Sequence, residues 1–279
     1  MRETPFHQIR TMLTPSIPRS HVSLLPKKWE KIGHVLVVKW NKNLDEYKEI
    51  ICAAYATVLN VTTVLGDVQG ILGPLREPTV ELLYGSPQTE TIHVEQGIRY
   101  KLDPQKIMFS SGNMSERMRM ASLKATDETI VDLFAGIGYF TLPLAVYAKP
   151  QTVIACELNH VAYDYLFKNI VLNHVTDRVQ PLLGDNREVA PRNVAERVIM
   201  GYLGGTAEYL PLALDCLKQA RGIIHFHDTY ADERIPDEPF QQVQRIARER
   251  KRTATLLEYH RVKSYAPGIS HAVIDVRIA

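Results

Sequence analysis

The feature that most constrains the fold is an apolar, β-branched run that ends in a short glycine turn and passes directly into a helical run. The apolar run is Ile130-Val131-Asp132-Leu133-Phe134, the turn is Ala135-Gly136-Ile137-Gly138, and the helical run covers 140–148. Glycines let a ligand approach the backbone closely, and the first turn of a helix leaves its N–H groups free to bind it. This order predicts a buried strand followed by a ligand-binding turn at the carboxyl edge of an α/β sheet.

Dinucleotide-binding turns follow a similar pattern, but their fingerprint has a third glycine. In this chain the corresponding position is Thr141. The order Asp-x-Phe-x-Gly-x-Gly, from Asp132 to Gly138, resembles instead the first motif of S-adenosylmethionine (SAM)-dependent transferases. That resemblance implies that Phe134, Gly136 and Gly138 border the cofactor. A strand–turn–helix unit without a ligand is the alternative interpretation at this point.

The composition is typical of a globular protein, since 45% of the 279 residues are hydrophobic and 23% are charged. No apolar run approaches the ~20 residues that cross a bilayer, and the N-terminus lacks an apolar signal core. Three cysteines without paired spacing, Cys52, Cys156 and Cys216, predict buried thiols and no zinc or disulfide framework. We therefore expect a cytoplasmic protein without metal or membrane attachment, and we expect it to be a monomer.

A net charge of +2 does not by itself indicate a nucleic-acid-binding protein, but the distribution of charge is more informative. Basic residues and tryptophans are interleaved in the N-terminal region, at Arg19, Lys27, Lys28, Trp29, Lys31, Lys39, Trp40 and Lys42. Basic side chains beside aromatic rings are suited to bind the phosphates of a nucleic acid and to stack on its bases. A solvated surface is the alternative interpretation of the same charges.

Two regions of the chain differ in the order of their predicted elements. Residues 1–96 combine a buried strand at 35–38, a helix from Asn43 to Asn60 and short apolar runs between glycines and prolines, which predicts a small α+β domain. Residues 97–279 alternate strands with helices, which predicts a parallel sheet with right-handed crossovers. The predicted strands of this second domain are 129–134, 153–156, 179–183, 197–200 and 223–227, and the predicted helices are 113–123, 139–148, 162–172, 207–219 and 237–250.

The last two predicted strands, at 256–260 and 272–278, are joined by a loop that includes 263–268 and contains no helix. Strands joined in this way run antiparallel, so one strand of the sheet is expected to be reversed. A mostly parallel, Rossmann-like sheet with one antiparallel strand is the fold of class I SAM-dependent transferases and not of most NAD-dependent enzymes. The predicted fold class is therefore α/β of this kind, with a smaller α+β domain at the N-terminus.

Polar residues follow the strands at the edge where ligands bind in such sheets. Glu157 lies about 20 residues after the glycine turn, where a carboxylate can accept both ribose hydroxyls. Asp185 and Asn186 follow the next strand, and a carboxylate beside an amide can read an adenine edge through hydrogen bonds. Each acid alone could be a helix cap, but together they predict an adenosyl ligand.

The end of the fourth strand bears on the type of reaction. Enzymes that methylate a nitrogen often carry Asn/Asp-Pro-Pro-Tyr here, or Asn-Leu-Pro in the tRNA guanine methylases. This chain has Gly201-Tyr202-Leu203-Gly204 instead, with no Asn, Asp or Pro to hold a nucleophilic nitrogen. The sequence therefore argues against the usual N-methylation. Tyr202 could stack on an adenine or a base, or fill the end of the sheet.

Segments over nearly the whole chain resemble the family of tRNA wybutosine-synthesis aminocarboxypropyltransferases, which also contains the tRNA guanine-37 N-1-methyltransferase. They are 32–33, 81–85, 106–110, 115–117, 131–138, 185–187, 200–202, 224–227 and 264–268. The methyltransferase branch has Phe-Ser-Pro-Arg and a later Asn-Leu-Pro. Here Ser111-Gly112 replace Pro-Arg and Gly201-Tyr202 replace Asn-Leu, and both departures favour the aminocarboxypropyl branch.

The resemblance implies a specific reaction and a set of binding residues. It implies transfer of the 3-amino-3-carboxypropyl group of SAM to C-7 of 4-demethylwyosine at position 37 of phenylalanine tRNA, with contacts to the anticodon region. SAM would be held by Ser110, Arg117, Glu157, Asp185 and Asn186, and Gly201 and Tyr202 complete the predicted cofactor site. We expect the Arg117 guanidinium to pair with a carboxylate of the methionine arm, whereas an exposed surface arginine is the alternative. The sequence does not identify a catalytic base.

Other interpretations stay open at this point. A tRNA guanine-37 N-1-methyltransferase on the same scaffold is the nearest alternative, and a non-catalytic RNA-binding or SAM-sensing protein is another. An NAD dehydrogenase is disfavoured by the missing glycine and the reversed strand. His225 and His227 alternate on a strand and point the same way, which favours a structural or substrate-facing role over a metal pair. Residues 263–267 could border the RNA or form a tight loop.

Overall fold

The computed structural model describes residues 3–73 and 75–279, and this part of the chain divides into two compact units. The first unit runs to Glu95 and takes in Arg99–Ser111. The second contains Gln96–Ile98 and Gly112–Ala279. The predicted assignment of residues 1–96 to substrate seating and 97–279 to catalysis stays a prediction.

The first unit contains a sheet of order β1-β2-β3-β4, in which β2 and β3 run parallel and the outer pairs antiparallel. The predicted helix is present as α3, and it ends where Asn60 adopts a left-handed conformation with φ +50°. Its buried side includes Ile51 and Tyr55, which pack in one core with Leu36 of the sheet. Strands β5 and β6 pair with each other. The elements are α1 Pro5–Leu13, α2 Arg19–Val22, β1 Trp29–Ile32, β2 Val35–Lys39, a 3-10 turn Lys42–Tyr47, α3 Lys48–Leu59, β3 Thr63–Leu72, β4 Glu77–Gly85, β5 Thr91–Glu95 and β6 Ile98–Leu102.

The second unit is built on a sheet of order β12-β13-β11-β10-β7-β8-β9. Strand β13 runs antiparallel to both of its neighbours, and the other neighbouring pairs are parallel. This confirms the predicted mostly parallel sheet with one reversed strand. The strands are β7 Thr129–Asp132, β8 Thr152–Glu157, β9 Val179–Leu183, β10 Arg197–Met200, β11 Gly222–Ala231, β12 Ala254–Ala266 and β13 Ile269–Ile278.

Helices connect and cover these strands at the predicted places, although several are shorter than predicted. The predicted run 139–148 begins with a three-residue helix, continues as a π-helical turn and ends at Lys149, whose φ is +50°. The helices are α4 Met114–Ala121, α5 Thr141–Pro143, the π turn Leu144–Ala148, α6 His160–Leu172, α7 Asn186–Val189, α8 Leu210–Cys216 and α9 Asp237–Glu249, with 3-10 turns at Ser111–Asn113, Thr206–Tyr209, Lys218–Ala220 and Asp232–Arg234.

The prediction of a loop over 263–268 is wrong. Strand β12 continues to Ala266, and the connection to β13 is only Pro267-Gly268, with Gly268 at φ +70°. Lys263 pairs with His271 and Ser264 with Ser270 across the hairpin. Strand β12 lies at the edge of the sheet, where many of its side chains are exposed and polar. Its sequence therefore lacks the apolar pattern of a buried strand.

Strands β7 and β10 occupy the centre of the sheet and are covered on both faces. Ile130, Val131, Val198 and Ile199 have no exposed surface, as expected for parallel strands between two helical layers. Cys52, Cys156 and Cys216 are free and buried, as predicted, and burial raises the pKa of all three thiols. Within the described chain, no helix has the length and apolar character needed to cross a membrane.

Candidate active site at the carboxyl edge of the sheet

The glycine turn after β7 depends on the absence of side chains at two positions. Gly136 has φ +57° and Gly138 has φ +102°, which residues with a Cβ rarely adopt. A Cβ on Gly138 would lie 2.7 Å from Cγ of Leu142, and one on Gly136 would lie 2.5 Å from the ring of Tyr139. The turn therefore requires glycine at both positions: Gly138 is buried against Leu142, and Gly136 is partly exposed.

Asp132, at the end of β7, fixes the two sides of this turn. Its fully buried carboxylate accepts hydrogen bonds from the Phe134 N–H at 3.2 Å and from the Thr141 hydroxyl at 2.8 Å. Burial raises the pKa of Asp132 to about 6, against the lowering effect of both hydrogen bonds. The sequence singled out this acid within an apolar strand but did not assign it a role, and the structure gives it a positioning role.

Glu157, at the end of β8, lies directly against the glycine turn. One carboxylate oxygen accepts the Gly136 N–H at 2.7 Å, and the other accepts the Asn159 N–H at 2.8 Å. Burial raises the pKa of Glu157, while these two backbone bonds lower it. Each oxygen has a second lone pair, so the carboxylate can also accept bonds from a diol.

Asn186, at the start of α7, has a buried oxygen without a partner. Its side-chain N–H donates to the Leu133 carbonyl at 2.9 Å, which orients the amide toward the end of β7. The amide Oδ1 is buried and has no hydrogen-bond partner among the described residues. An unpaired buried acceptor is costly, so this atom is suited to receive a donor from a ligand.

Asp185, next to Asn186, already has partners in the structure. It caps α7 by accepting the Arg187 N–H at 2.9 Å, and it accepts the Arg187 side-chain Nε–H at 2.9 and 3.1 Å. Its hydrogen bonds with the Arg187 side chain lower the pKa of Asp185. The free acceptor at this strand end is thus on Asn186, and Asp185 is ionised against an arginine.

Aromatic rings line the ends of β7 and β10. Tyr202 stacks on Phe134, with ring centroids 5.2 Å apart and an angle of 20° between planes, and Tyr209 meets Phe134 edge-on at 5.0 Å. Gly201 leaves room for a further ring, that of Phe140, because a Cβ there would lie 2.7 Å from it. Tyr209 was missed by sequence reasoning, since no spacing rule relates it to the strand end.

Two predicted residues come from the segments before β7. Arg117 lies on α4 with 1% of its surface exposed, which excludes the alternative of an exposed surface arginine. Ser110 is half-buried and belongs to the first unit, near its end. The roles of Arg117 and Ser110 toward a cofactor stay predictions.

His225 and His227 lie in β11, and both are fully buried and contact other side chains of the chain. His225 Nδ1 is 2.7 Å from Asp275 and its Nε2 is 2.7 Å from Arg197, while His227 Nδ1 is 3.1 Å from His271. Burial is the main cause that lowers the pKa of both imidazoles. These contacts support a structural role, and no group of three or more His, Cys, Asp or Glu in the described residues is arranged to hold a metal ion.

A mostly parallel sheet with one reversed strand, a glycine turn after its central strand and polar groups at the neighbouring strand ends define a class I SAM-dependent transferase. A sequence profile of the TRM5/TYW2 methyltransferase domain matches residues 91–256, and a profile of the TYW2 N-terminal domain matches residues 9–89. The chain therefore belongs to the TRM5/TYW2 family.

Individual relatives are similar to this chain over nearly its full length. It is 45% identical over 271 residues to the tRNA(Phe) (4-demethylwyosine(37)-C(7)) aminocarboxypropyltransferase of Pyrococcus horikoshii, covering 97% of this chain and 96% of that protein. The crystal structure of P. horikoshii TYW2 in complex with MeSAdo matches with a TM-score of 0.86 and 43% identity over 98% of both chains. That of Methanocaldococcus jannaschii TYW2 in complex with AdoMet matches with a TM-score of 0.73 and 39% identity, covering 90% of this chain and 99% of that one.

Proposed function

We propose that this chain transfers the 3-amino-3-carboxypropyl group of SAM to C-7 of 4-demethylwyosine at position 37 of phenylalanine tRNA. The observation that carries the proposal is the 45% identity, along nearly the entire chain, to a relative named for that activity. The end of β10 supports the same branch of the family. Gly201-Tyr202 stand there in place of the Asn-Leu of Asn-Leu-Pro, so no side-chain amide is placed to hold a nitrogen nucleophile.

The residues at the carboxyl edge fit SAM. The buried Oδ1 of Asn186 can accept a hydrogen bond from the adenine amino group, and Glu157 can accept bonds from the ribose hydroxyls. The partly exposed backbone at Gly136 allows the ligand to approach closely, and the buried Gly138 completes the turn. We include Ser110, Arg117, Phe134, Asp185, Gly201 and Tyr202 in the proposed cofactor site.

The proposed reaction depends on orientation more than on acid–base chemistry. Bound SAM supplies carbons made electrophilic by its sulfonium, of which the one aligned with the nucleophile reacts. A bond forms between C-7 and the carbon of the aminocarboxypropyl arm, the C–S bond to that carbon breaks, C-7 loses its proton and methylthioadenosine leaves. The task of the protein is to hold the arm, and not the methyl group, in line with the base. We assign that task in part to the buried Arg117, whose guanidinium can pair with the carboxylate of the arm.

The first unit is proposed to seat the RNA. Lys27, Lys28, Lys39 and Lys42 are exposed there and available for phosphate contacts, whereas Trp29 packs edge-on against Tyr55. Trp29 is therefore a packing residue and not a free stacking platform. We propose that the enzyme works as a monomer in the cytoplasm, where tRNA is modified. Light scattering of the free enzyme tests the oligomeric state.

Two forms of labelled SAM distinguish the proposed activity from the alternative, guanine-37 N-1-methylation. Phenylalanine tRNA that carries either 4-demethylwyosine or unmodified guanine at position 37 is incubated with the enzyme and with SAM labelled either in the methyl group or in the carboxyl group. The proposal predicts that only the carboxyl label enters tRNA, and only the tRNA that carries 4-demethylwyosine. Entry of the methyl label alone, into the guanine-37 tRNA, would establish the methyltransferase, and SAM binding without transfer of either label to either tRNA would establish a non-catalytic protein.

A further inference from the structure

A buried carboxylate outside the predicted site holds the loop that follows β10. Asp228, in β11, is 7% exposed. One of its oxygens accepts the N–H of Gly204 at 2.7 Å and that of Thr229 at 2.8 Å. The other accepts the N–H of Thr206 at 3.0 Å and that of Gly205 at 3.3 Å. Three consecutive N–H groups of the loop therefore converge on one side chain.

The glycines of this loop have no side chains to fix their conformation. Gly204 and Gly205 have φ +87° and +106°, and a Cβ on either would meet nothing within 4 Å. Glycines in such conformations lose much conformational freedom when they are ordered, and here no packing around them compensates for it. Hydrogen bonds from N–H groups to a carboxylate are among the stronger ones in proteins, so Asp228 is the main restraint on the two glycines of the loop.

The restraint reaches the aromatic wall of the site through Thr206. The Thr206 hydroxyl donates to the Tyr202 carbonyl at 2.7 Å, which closes the 202–206 segment on itself. The ring of Tyr202 then stacks on Phe134, the residue at the end of β7 whose N–H is bound by Asp132. A continuous set of contacts thus connects Asp228 to the side chain that stands where methylating relatives place Asn-Leu-Pro.

We propose that Asp228 is a positioning residue for the transfer reaction. By fixing the 201–206 loop it keeps Tyr202 stacked on Phe134, and this stacked pair forms the wall that orients the SAM arm toward the acceptor base. The inference rests on the proposed function for the identity of the transferred group. Its physical part, that Asp228 acts through Tyr202, concerns cofactor binding as well as turnover.

A double-mutant cycle tests this claim, because residues that act through one another do not have additive effects. We expect Asp228→Asn to weaken SAM binding and lower kcat/KM about tenfold, since an amide presents N–H groups to the N–H groups of the loop. We expect Tyr202→Ala to have an effect at least as large. The double variant should be no worse than Tyr202→Ala. Effects that multiply in the double variant would overturn the proposal, as would wild-type SAM affinity in a folded Asp228→Asn protein.

Asp103→Asn is the matched control for lost stability. Asp103 is also 7% exposed and accepts a backbone N–H, from Gln105 at 3.0 Å, but it belongs to the first unit. We expect its SAM affinity to stay within about twofold of wild type. Thr206→Val removes only the bond to the Tyr202 carbonyl and takes the place of Asp228→Asn in the cycle if that variant does not fold.

The two measurements keep this proposal separate from the proposed function. Calorimetric SAM affinity does not depend on which group is transferred. If wild-type enzyme only methylates tRNA, the proposed function fails, and non-additivity in SAM affinity still decides the role of Asp228. If wild-type enzyme transfers the aminocarboxypropyl group and the cycle is additive, the positioning role fails alone.

Discussion

Asp132, Glu157 and Asn186 each use part of a polar side chain to hold nearby backbone. Their partners are the Phe134 N–H, the Gly136 N–H and the Leu133 carbonyl, all within the first residues after β7. The turn is therefore fixed from three strand ends at once. In the proposed site the remaining acceptor capacity of Glu157 and Asn186 is available to SAM, and such preorganisation would lower the entropy cost of binding.

Replacing Asn186 tests the residue with the unpaired acceptor. We expect Asn186→Ala to weaken SAM binding about tenfold, because it removes one hydrogen-bond acceptor for the ligand and the bond that orients it. Asn173→Ala is the control, since Asn173 also donates its amide N–H to a backbone carbonyl, that of Asn169, but lies at the end of α6. Calorimetric titration with SAM measures both. Equal affinities of wild type and Asn186→Ala would contradict the assignment.

Asp132 makes a specific prediction about pH. Its folded-state pKa of about 6 lies above its ordinary value of 3.8, so between these values the folded chain holds a proton that the unfolded chain has lost. The contribution of Asp132 to the stability of the fold is therefore present at low pH and is lost as pH rises through 6. From pH 5 to pH 7 the wild type should lose about 1 kcal/mol of stability relative to Asp132→Asn. Urea unfolding at both pH values measures this, and a pH-independent difference would contradict the buried, titrating carboxylate.

The order of strands and helices in the second unit could be predicted from the sequence, although β11 extends to Ala231, beyond its predicted end at 227. Strands β7 and β10 were predicted from their continuous apolar runs, which are buried. The acid at the end of β8, Glu157, was also predicted at the place where it lies. Edge strand β12 was predicted too short, because an exposed strand carries no apolar pattern. Asp228 could not be predicted as a site residue from its position, because it lies inside β11 and not at the end of a strand.

The glycine turn gives a prediction at the scale of the element. Gly138→Ala should lower the free energy of unfolding by about 3 kcal/mol, because it combines an unfavourable φ with a Cβ 2.7 Å from Leu142. Gly268, in the β12–β13 turn, also has a positive φ, but a Cβ there would meet open space. Gly268→Ala should therefore lower the free energy of unfolding by only about 1 kcal/mol. Urea denaturation compares them, and equal losses would show that the close approach to Leu142 has no cost.

At the scale of the whole molecule, the sequence indicated two regions of different architecture but not how the chain is shared between them. Residues 96–98 belong to the second unit and residues 99–111 belong to the first, so the chain passes between the units more than once. Such exchanges depend on contacts distant in the sequence, which local patterns do not encode. The role of each region was predictable only through resemblance, because charge and periodicity alone allow a solvated surface as well as an RNA-binding one.

The exposed lysines of the first unit make the RNA-seating role testable. The double variant Lys27→Ala/Lys28→Ala should bind tRNA more weakly and reduce the slope of log affinity against log salt by about 1.5, because two phosphate contacts are lost. SAM affinity should not change. The control is Lys149→Ala/Lys251→Ala, which removes two exposed lysines that precede strands β8 and β12 of the seven-stranded sheet. Equal salt slopes for the two double variants would argue against the first unit as the RNA-binding surface.

The identity of the nucleoside released from SAM tests the central claim most directly. The orientation inferred for the cofactor requires cleavage of the bond between sulfur and the amino-acid arm, which leaves the methyl group on sulfur. Chromatography of a completed reaction should therefore show methylthioadenosine in an amount equal to the modified tRNA. Release of S-adenosylhomocysteine in that amount would mean that the pocket presents the methyl carbon, and the proposed chemistry would be wrong.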